Sequence, residues 1–262
     1  MSKINATPDR PLVACRFWCY GEYAPDVAWT ELPKQGIHHF EMDCPEPADI
    51  PDLKKKLADH GLAASSIQCK CDVKSEDVVE AMKPQLDVCV EMDAIFCYTS
   101  VNGGDTPRDL VWQRLRAIGD EAAQRDLFVS METHPDLVHN GDEALKSMHA
   151  IDHPNVRVNF DTANVLYYNE NTDTITELEK IADHVGSMHL KESTGGYRVI
   201  DFPALGKGIV DYARVFQVMS ARGFAGPYTM ELEGPEKRSR EDQIAHVATS
   251  AAHLRAIGML KE

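Results

Sequence analysis

Four short stretches of the chain share one design, in which a run of apolar and small residues ends near a side chain that can bind a metal ion. These side chains are Glu132, Asp161, His189 and Glu231. Each stretch is typical of a buried β-strand with a potential metal ligand near its C-terminal end. Three carboxylates and one imidazole favour a hard divalent ion, so the set predicts Mn²⁺ first, with Mg²⁺, Co²⁺ and Zn²⁺ as alternatives.

Polar residues recur at every second position of these stretches. Ser130 and Glu132 share one direction of a strand, whereas Val129 and Met131 are apolar, and the other three stretches repeat this alternation. A single acidic residue at a strand end more often caps a helix or forms an ion pair. Four such groups in one phase would be costly to bury without a cation. Together they predict one divalent-ion site with open positions for a substrate.

The remaining sequence supplies the elements that must position this site. We predict eight strands, over residues 11–17, 37–43, 62–69, 94–99, 127–133, 156–162, 185–191 and 228–233. Helices are predicted to alternate with them, in a segment that ends near Gly36 and then over 49–60, 76–91, 107–125, 142–151, 174–182, 209–222 and 239–258.

This alternation requires parallel strands that are joined by right-handed crossovers. It predicts an α/β fold, a single (β/α)8 TIM barrel over residues 1–262, with strand 1 from about residue 11 and the last helix ending at about residue 258. An open doubly wound sheet is the alternative. That fold usually carries a Gly-rich phosphate turn, which Gly103-Gly104 does not complete.

Composition limits the partners and the compartment. The 262 residues include 27 basic and 42 acidic side chains, and the net charge of −15 opposes binding to nucleic acid or to an anionic membrane. The N-terminus lacks a signal pattern, and no stretch reaches about 18 consecutive apolar residues. Seven cysteines without CxxC spacing are typical of reduced core thiols, with a structural zinc site as the alternative. We expect a soluble cytoplasmic protein, with homo-oligomerisation left open.

Five motifs surround the four ligands: Met131-Glu-Thr-His134, Asn159-Phe-Asp-Thr162, Gly186-Ser-Met-His-Leu-Lys191, Leu205-Gly-Lys-Gly-Ile-Val-Asp211 and Thr229-Met-Glu-Leu-Glu233. They resemble the sugar phosphate isomerase/epimerase family of xylose isomerase-like TIM barrels, within the AP endonuclease family 2 superfamily. The resemblance implies one metal ion held by Glu132, Asp161, His189 and Glu231. It also implies that Glu132 and Glu231 face each other across the substrate as an acid/base pair.

Some positions depart from the pattern of the ketose 3-epimerases in this group. Those enzymes usually place a His where this chain has Asn164, a Glu where it has Val138, and an Arg that corresponds to Arg198 at a longer spacing. A standard free-ketose 3-epimerase is therefore not favoured, although Asn164 and Arg198 are predicted to contact substrate. The Asp-x-His pair of the AP endonucleases is replaced by Asp201-Phe-Pro203, so additional metal sites and DNA cleavage are not expected.

The chemistry of such a site begins with removal of a weakly acidic C–H proton next to a carbonyl and passes through an enediolate. A divalent cation stabilises the negative charge that develops on the substrate oxygens. His134 and Lys191 lie two residues beyond Glu132 and His189 in the same phase. We predict that both bind substrate oxygens, and a supporting or solvated role at the rim is the alternative.

The sequence therefore predicts a metal-dependent isomerase or epimerase of a sugar or keto-sugar, with a small-molecule substrate. A lyase, dehydratase or hydratase that acts on a keto-sugar or keto-cyclitol at the same metal site is the alternative. A non-catalytic barrel that keeps the metal only for stability is less favoured, because all four ligands are present.

Overall fold

The computed structural model of the protein describes residues 6–233 and 238–261. Eight parallel strands pair in sequence order, and the last strand pairs with the first. The strands are β1 Val13–Arg16, β2 His39–Asp43, β3 Ala63–Gln68, β4 Phe96–Thr99, β5 Phe128–Glu132, β6 Val156–Asp161, β7 Val185–Leu190 and β8 Tyr228–Met230. This closed barrel confirms the predicted fold class.

Helices follow the strands and form the outer layer. They are α1 Asp26–Lys34, α2 Ile50–Asp59, α3 Val78–Glu91, α4 Arg108–Ala123, α5 Gly141–Ile151, α6 Asn164–Tyr167, α7 Thr174–Ile181, α8 Tyr212–Ser220 and α9 Arg240–Ala256. Short 3₁₀ segments cover Phe17–Tyr23, Pro47–Asp49 and Ala182–His184. The predicted last helix ran two residues too far, because the chain turns at Gly258, whose φ is +81°.

The apolar core lies between the strands and the helices. Val129 and Met131 are fully buried there, as their alternation with Ser130 and Glu132 predicts. The seven cysteines are free thiols, and the sulfur atoms of Cys69 and Cys89 lie 3.8 Å apart.

A shift of register between β6 and β7 decides which side chains face the barrel interior. Val158 pairs with Val185, but Asn159 pairs with Ser187 and Asp161 with His189, so β7 contains one extra residue. Without that residue, every side chain beyond the shift would point to the opposite face. The shift therefore places Asp161 and His189 side by side.

The predicted strand 228–233 is longer than the observed one. Strand β8 ends at Met230, which pairs with Cys15 on one side and Leu190 on the other. The backbone N–H of Glu231 still donates to Leu190 O over 3.1 Å. Glu231 therefore lies one residue beyond the strand but is held in line with it.

Candidate metal centre

The structure brings the four predicted ligands together at the C-terminal ends of β5 to β8. One ligand atom from each of Glu132, Asp161, His189 and Glu231 lies within 4.8 Å of all the others. All four side chains are buried, with at most 4% of each residue exposed. We call these four residues the metal cluster.

Asp161 is oriented by the start of the short helix α6. Its Oδ1 atom accepts hydrogen bonds from the backbone N–H groups of Ala163 and Asn164, both at 2.8 Å. Its Oδ2 atom is buried and has no hydrogen-bond partner among the described residues. One carboxylate oxygen is thus fixed by the backbone, while the other, 3.1 Å from Lys191 Nζ, can still accept a metal ion.

Glu132 and His189 face each other across the cluster. Glu132 Oε1 lies 3.2 Å from His189 Nδ1, and Glu132 Oε2 accepts a hydrogen bond from the hydroxyl of Ser100. The other ring nitrogen, His189 Nε2, lies 2.9 Å from Glu41 Oε1. The Nδ1 atom is therefore the one that points into the cluster.

Glu231 is held by two cations. Its Oε1 atom accepts a hydrogen bond of 2.5 Å from Arg16 Nη1. Its Oε2 atom lies 2.8 Å from Lys191 Nζ and 3.2 Å from His189 Nδ1, yet it receives no aligned hydrogen bond within the described part of the chain. Like Asp161 Oδ2, it is a buried acceptor that a metal ion would satisfy.

The charges around the cluster also fit a divalent ion. The buried or nearly buried ionic groups are the carboxylates of Glu41, Glu132, Asp161 and Glu231 and the cations of Arg16 and Lys191. Four negative charges and two positive ones leave two negative charges when His189 is neutral. Such an excess would be costly in a buried site, and one divalent ion neutralises it.

Burial and the neighbouring charges also shift the pKa values of three residues of the cluster. Burial raises the pKa of Asp161 to about 7, although Lys191 acts in the opposite direction. Burial acts to lower the pKa of His189, but Glu231 and Glu41 outweigh it and raise that pKa well above its ordinary value. Burial likewise acts to raise the pKa of Glu231, yet His189 and Lys191 hold it well below the usual range. Positive charge is favoured at the centre of the cluster.

Three of the predicted substrate residues lie beside the metal cluster. His134 Nε2 is 3.5 Å from Glu132 Oε2. Lys191 is buried, and its Nζ atom lies 3.1 Å from Asp161 Oδ2 and donates to Asn164 Oδ1 over 3.1 Å. Their contact with substrate stays a prediction.

Arg198 lies elsewhere, in the exposed loop after β7. Its guanidinium stacks over the Tyr197 ring at 5.0 Å, and its backbone N–H donates to Tyr167 O. Among the described residues, no hydrogen bond or ion pair joins its side chain to the metal cluster. Its role as a substrate contact likewise stays a prediction.

Sequence reasoning missed the residues that surround the cluster from β1 to β4. Arg16 ends β1, Glu41 lies within β2, and Ser100 follows β4. Glu41 interrupts the apolar pair Phe40 and Met42. The test that we applied to strands 5 to 8, a polar side chain at the end of an apolar run, would also have selected Arg16, whereas Glu41 lies in the middle of its strand.

A cavity of about 530 Å³ opens onto Glu231. Arg16 and Glu233 contribute polar walls, whereas Trp18, Ile200 and Phe202 contribute apolar ones. Within residues 6–233 and 238–261, no helix combines the length and the apolar character that a membrane span requires.

Comparison with known proteins agrees with this fold and site. The model of the xylose isomerase-like TIM barrel family matches residues 31–257. The chain belongs to this family.

Two curated relatives cover most of the chain. One is a ketose 3-epimerase of Arthrobacter globiformis, 27% identical over 214 residues, which covers 73% of this chain and 71% of the relative. The other is an inosose dehydratase of Geobacillus thermodenitrificans, 24% identical over 250 residues, which covers 81% of this chain and 83% of the relative. These relatives catalyse different reactions, so the family by itself does not select one.

The fold is also similar to that of a xylose isomerase-like TIM barrel protein from Mycobacterium smegmatis, which was solved in complex with magnesium. The two structures superpose with a TM-score of 0.75 at 20% identity, over 95% of this chain and 97% of the other. At that identity, the similarity supports the fold alone.

Proposed function

We propose that this protein is a divalent-metal-dependent isomerase or epimerase of a sugar or keto-sugar. The observation that carries the proposal is the pair of buried glutamates, Glu132 and Glu231. Each has one carboxylate oxygen bound by a neighbouring donor, Ser100 or Arg16. The other oxygen of each lies 3.2 Å from His189 Nδ1. Two carboxylates aimed at one point suit a reaction that removes a proton and returns it.

We propose that the four residues of the metal cluster hold the ion, with Mn²⁺ as the first expectation. Three carboxylates, two of them with a buried oxygen that lacks a hydrogen-bond partner among the described residues, match the oxygen preference of Mn²⁺ and Mg²⁺. The similar barrel from Mycobacterium smegmatis was solved with magnesium. When bound, the ion would stabilise negative charge on the oxygens of the substrate.

The two glutamates have different neighbours and therefore different roles. Glu231 contacts Arg16 and Lys191, and these cations stabilise its ionised form. Glu132 contacts a hydroxyl and two imidazole rings instead. We infer that Glu132 accepts the proton from the substrate carbon more readily and that Glu231 acts on the opposite face.

The walls of the cavity support this chemistry. Trp18, Ile200 and Phe202 line its outer part, where a bound sugar would cover them and exclude water from the reacting carbon. We propose that Lys191, whose Nζ atom contacts Glu231, and His134, which contacts Glu132, bind substrate oxygens beside this cavity. An enediolate formed in this cavity would be shielded from protonation by solvent.

Three observations favour a dehydratase as the second candidate. Val138, which stands where the ketose 3-epimerases resembling this chain have a Glu, is buried in the apolar core. Asn164 replaces their His and uses its side chain to bind Lys191 Nζ and Thr133 O. The inosose dehydratase also matches a larger share of the chain than the ketose 3-epimerase does. β-Elimination of water would use the same initial proton transfer.

A test is to incubate Mn²⁺-loaded protein with a panel of keto-sugars and keto-cyclitols in D₂O and to follow the products by NMR. Deuterium incorporation with formation of an isomer or epimer would support the first candidate. Loss of water would support the dehydratase. A protein that retains Mn²⁺ but shows neither reaction across the panel would contradict both. A sample treated with a chelator serves as the control.

A further inference from the structure

We propose that Glu41 is a positioning residue that holds the imidazole of His189 in the orientation for metal binding through Nδ1. The inference rests on the metal site of the proposed function. Glu41 is 1% exposed and lies on β2, which is outside the group of strands β5 to β8 that lead to the four ligands. It does not belong to the metal cluster itself.

Both carboxylate oxygens of Glu41 are already engaged. Oε1 lies 2.9 Å from His189 Nε2, and Oε2 accepts a hydrogen bond of 2.5 Å from Ser66 Oγ. Arg16 Nε lies 3.6 Å from Oε1 and adds a weaker ionic contact. Because neither oxygen is free, Glu41 is suited to support a ligand rather than to act as one.

A second shift of register makes this arrangement possible. Phe40 pairs with Ala64, but Glu41 pairs with Ser66, so β3 contains one extra residue at this point. Glu41 and Ser66 therefore face the barrel interior together. The shift between β6 and β7 turns His189 to the same interior, and the two shifts bring Glu41 and His189 into contact.

The contact between Glu41 and His189 Nε2 decides which ring nitrogen of His189 carries the proton. A neutral imidazole carries a proton on one nitrogen and a lone pair on the other. An ionised carboxylate can only accept, so Glu41 selects the form with the proton on Nε2 and leaves the lone pair of Nδ1 for the metal ion. The hydroxyl of Ser66 donates to the other oxygen and keeps the carboxylate in place.

The ring of His189 has one further restraint. The ring of Tyr98 meets it edge to face, with the centroids 4.8 Å apart. The hydrogen bond to Glu41 and this aromatic contact together fix both the rotation of the ring and its tilt. Such support of a metal-binding histidine usually changes metal affinity by about 10- to 100-fold.

The test compares Mn²⁺ affinity, measured by EPR, in the wild-type protein and in Glu41→Gln, Glu41→Asp and Glu177→Gln. Glu177 is also buried, but it binds Gly141 N and Lys180 away from the metal cluster, so this variant controls for the loss of a buried charge. We expect both Glu41 variants to bind Mn²⁺ at least about 10-fold more weakly and Glu177→Gln to bind as the wild type does.

The Glu41→Asp variant distinguishes the effect of the hydrogen bond to His189 from the effect of the negative charge. Asp keeps the negative charge but is shorter by one methylene group, so it cannot keep the contact with Nε2. If Glu41 acts only through its charge, Glu41→Asp would bind Mn²⁺ like the wild type, and the positioning role would be overturned. If the glutamine variant folds poorly, Ser66→Ala provides a milder change, for which we expect a smaller but measurable loss of affinity.

A second measurement reports on the ring directly. In Zn²⁺-loaded protein with ¹⁵N-labelled histidine, His189 should show a proton on Nε2 that is shifted far downfield by Glu41. The signal is assigned by its absence in His189→Asn. Glu41→Asp should move it upfield, and an unchanged signal together with unchanged affinity would overturn the inference.

These readouts do not depend on turnover. Wild-type protein that binds Mn²⁺ normally but converts no sugar would contradict the proposed function, and the comparison of Glu41 variants would still decide the inference. Wild-type protein that binds no Mn²⁺ would overturn both.

Discussion

Two kinds of buried carboxylate occur at the C-terminal ends of β6, β7 and β8, and they differ in how their oxygens are satisfied. Glu192 accepts hydrogen bonds from the backbone N–H groups of Ser193 and Val210, both at 3.0 Å, and of Gly206 at 2.8 Å. Asp161 and Glu231 are equally buried, but each has one oxygen without a hydrogen-bond partner among the described residues.

The difference separates a carboxylate that is satisfied by the backbone from those that we propose as metal ligands. Glu192 ties together the loop between β7 and α8, which includes the whole motif Leu205–Asp211. A side-chain carbon at Gly208 would lie 2.2 Å from Ser193 O and 2.6 Å from Glu192 Oε1, so this close approach requires glycine. The motif thus holds the loop, whereas Asp161 Oδ2 and Glu231 Oε2 are the oxygens that we propose bind the metal ion.

The largest expected effect is on the rate of substrate proton exchange when either proposed acid/base residue, Glu132 or Glu231, is replaced. Glu132→Gln and Glu231→Gln each keep size and one oxygen donor but remove the base, so the rate of substrate proton exchange should fall by at least about 10²-fold. Metal content must be measured on the same samples. Variants that retain the ion fully and exchange protons at the native rate would show that the two-glutamate mechanism is wrong, and His134 or Lys191 would be tested next.

The second prediction concerns the rise in melting temperature on Mn²⁺ binding, which should be lost in a variant of Asp161 but kept in a variant of Glu192. At a Mn²⁺ concentration 100 times the Kd, binding stabilises the folded protein by about 2.7 kcal/mol, which raises the melting temperature by roughly 5–10 °C. Asp161→Ala should abolish this rise, whereas Glu192→Gln should retain it. A thermal scan with and without Mn²⁺ checks both, and an undiminished rise in Asp161→Ala would remove this residue from the metal site.

The third prediction concerns stability without added metal. Glu192→Gln places an NH₂ group against backbone N–H donors and should lower the free energy of unfolding by roughly 2 kcal/mol. Asp161→Asn removes one of several crowded negative charges, so it should cost less than Glu192→Gln. Urea unfolding in the presence of a chelator measures both. A greater loss in Asp161→Asn would mean that Asp161 is mainly structural.

The smallest effect concerns a half-buried histidine, His246, whose surroundings favour the neutral form. Burial and the nearby Arg238 lower the pKa of His246 to about 4. The unfolded chain, with a His pKa of about 6.5, therefore binds a proton first as the pH falls. Stability should decrease between about pH 6.5 and 4, by about 1 kcal/mol after allowance for the partial exposure of the side chain. His246→Gln should flatten this part of the profile of unfolding free energy against pH, and an unchanged slope would contradict the assignment.

The sequence alone determined the order of elements and the residues that meet in the cluster. Alternation of apolar and polar residues is a local property, since it depends only on the period of a strand. It therefore sufficed to place Glu132, Asp161 and His189 near the ends of three successive strands. Parallel strands then bring such ends to one face of a barrel.

Only the tertiary structure decided what surrounds those ligands. Glu41 and His189 are separated by 148 positions, and Arg16 and Glu231 by 215. These pairs meet because β8 closes onto β1 and because the register shifts once in β3 and once in β7. Closure and register arise from packing and hydrogen bonding across the whole sheet, which no local pattern encodes. The local sequence therefore predicted the four residues of the metal cluster, and the closed barrel supplied the residues that contact them.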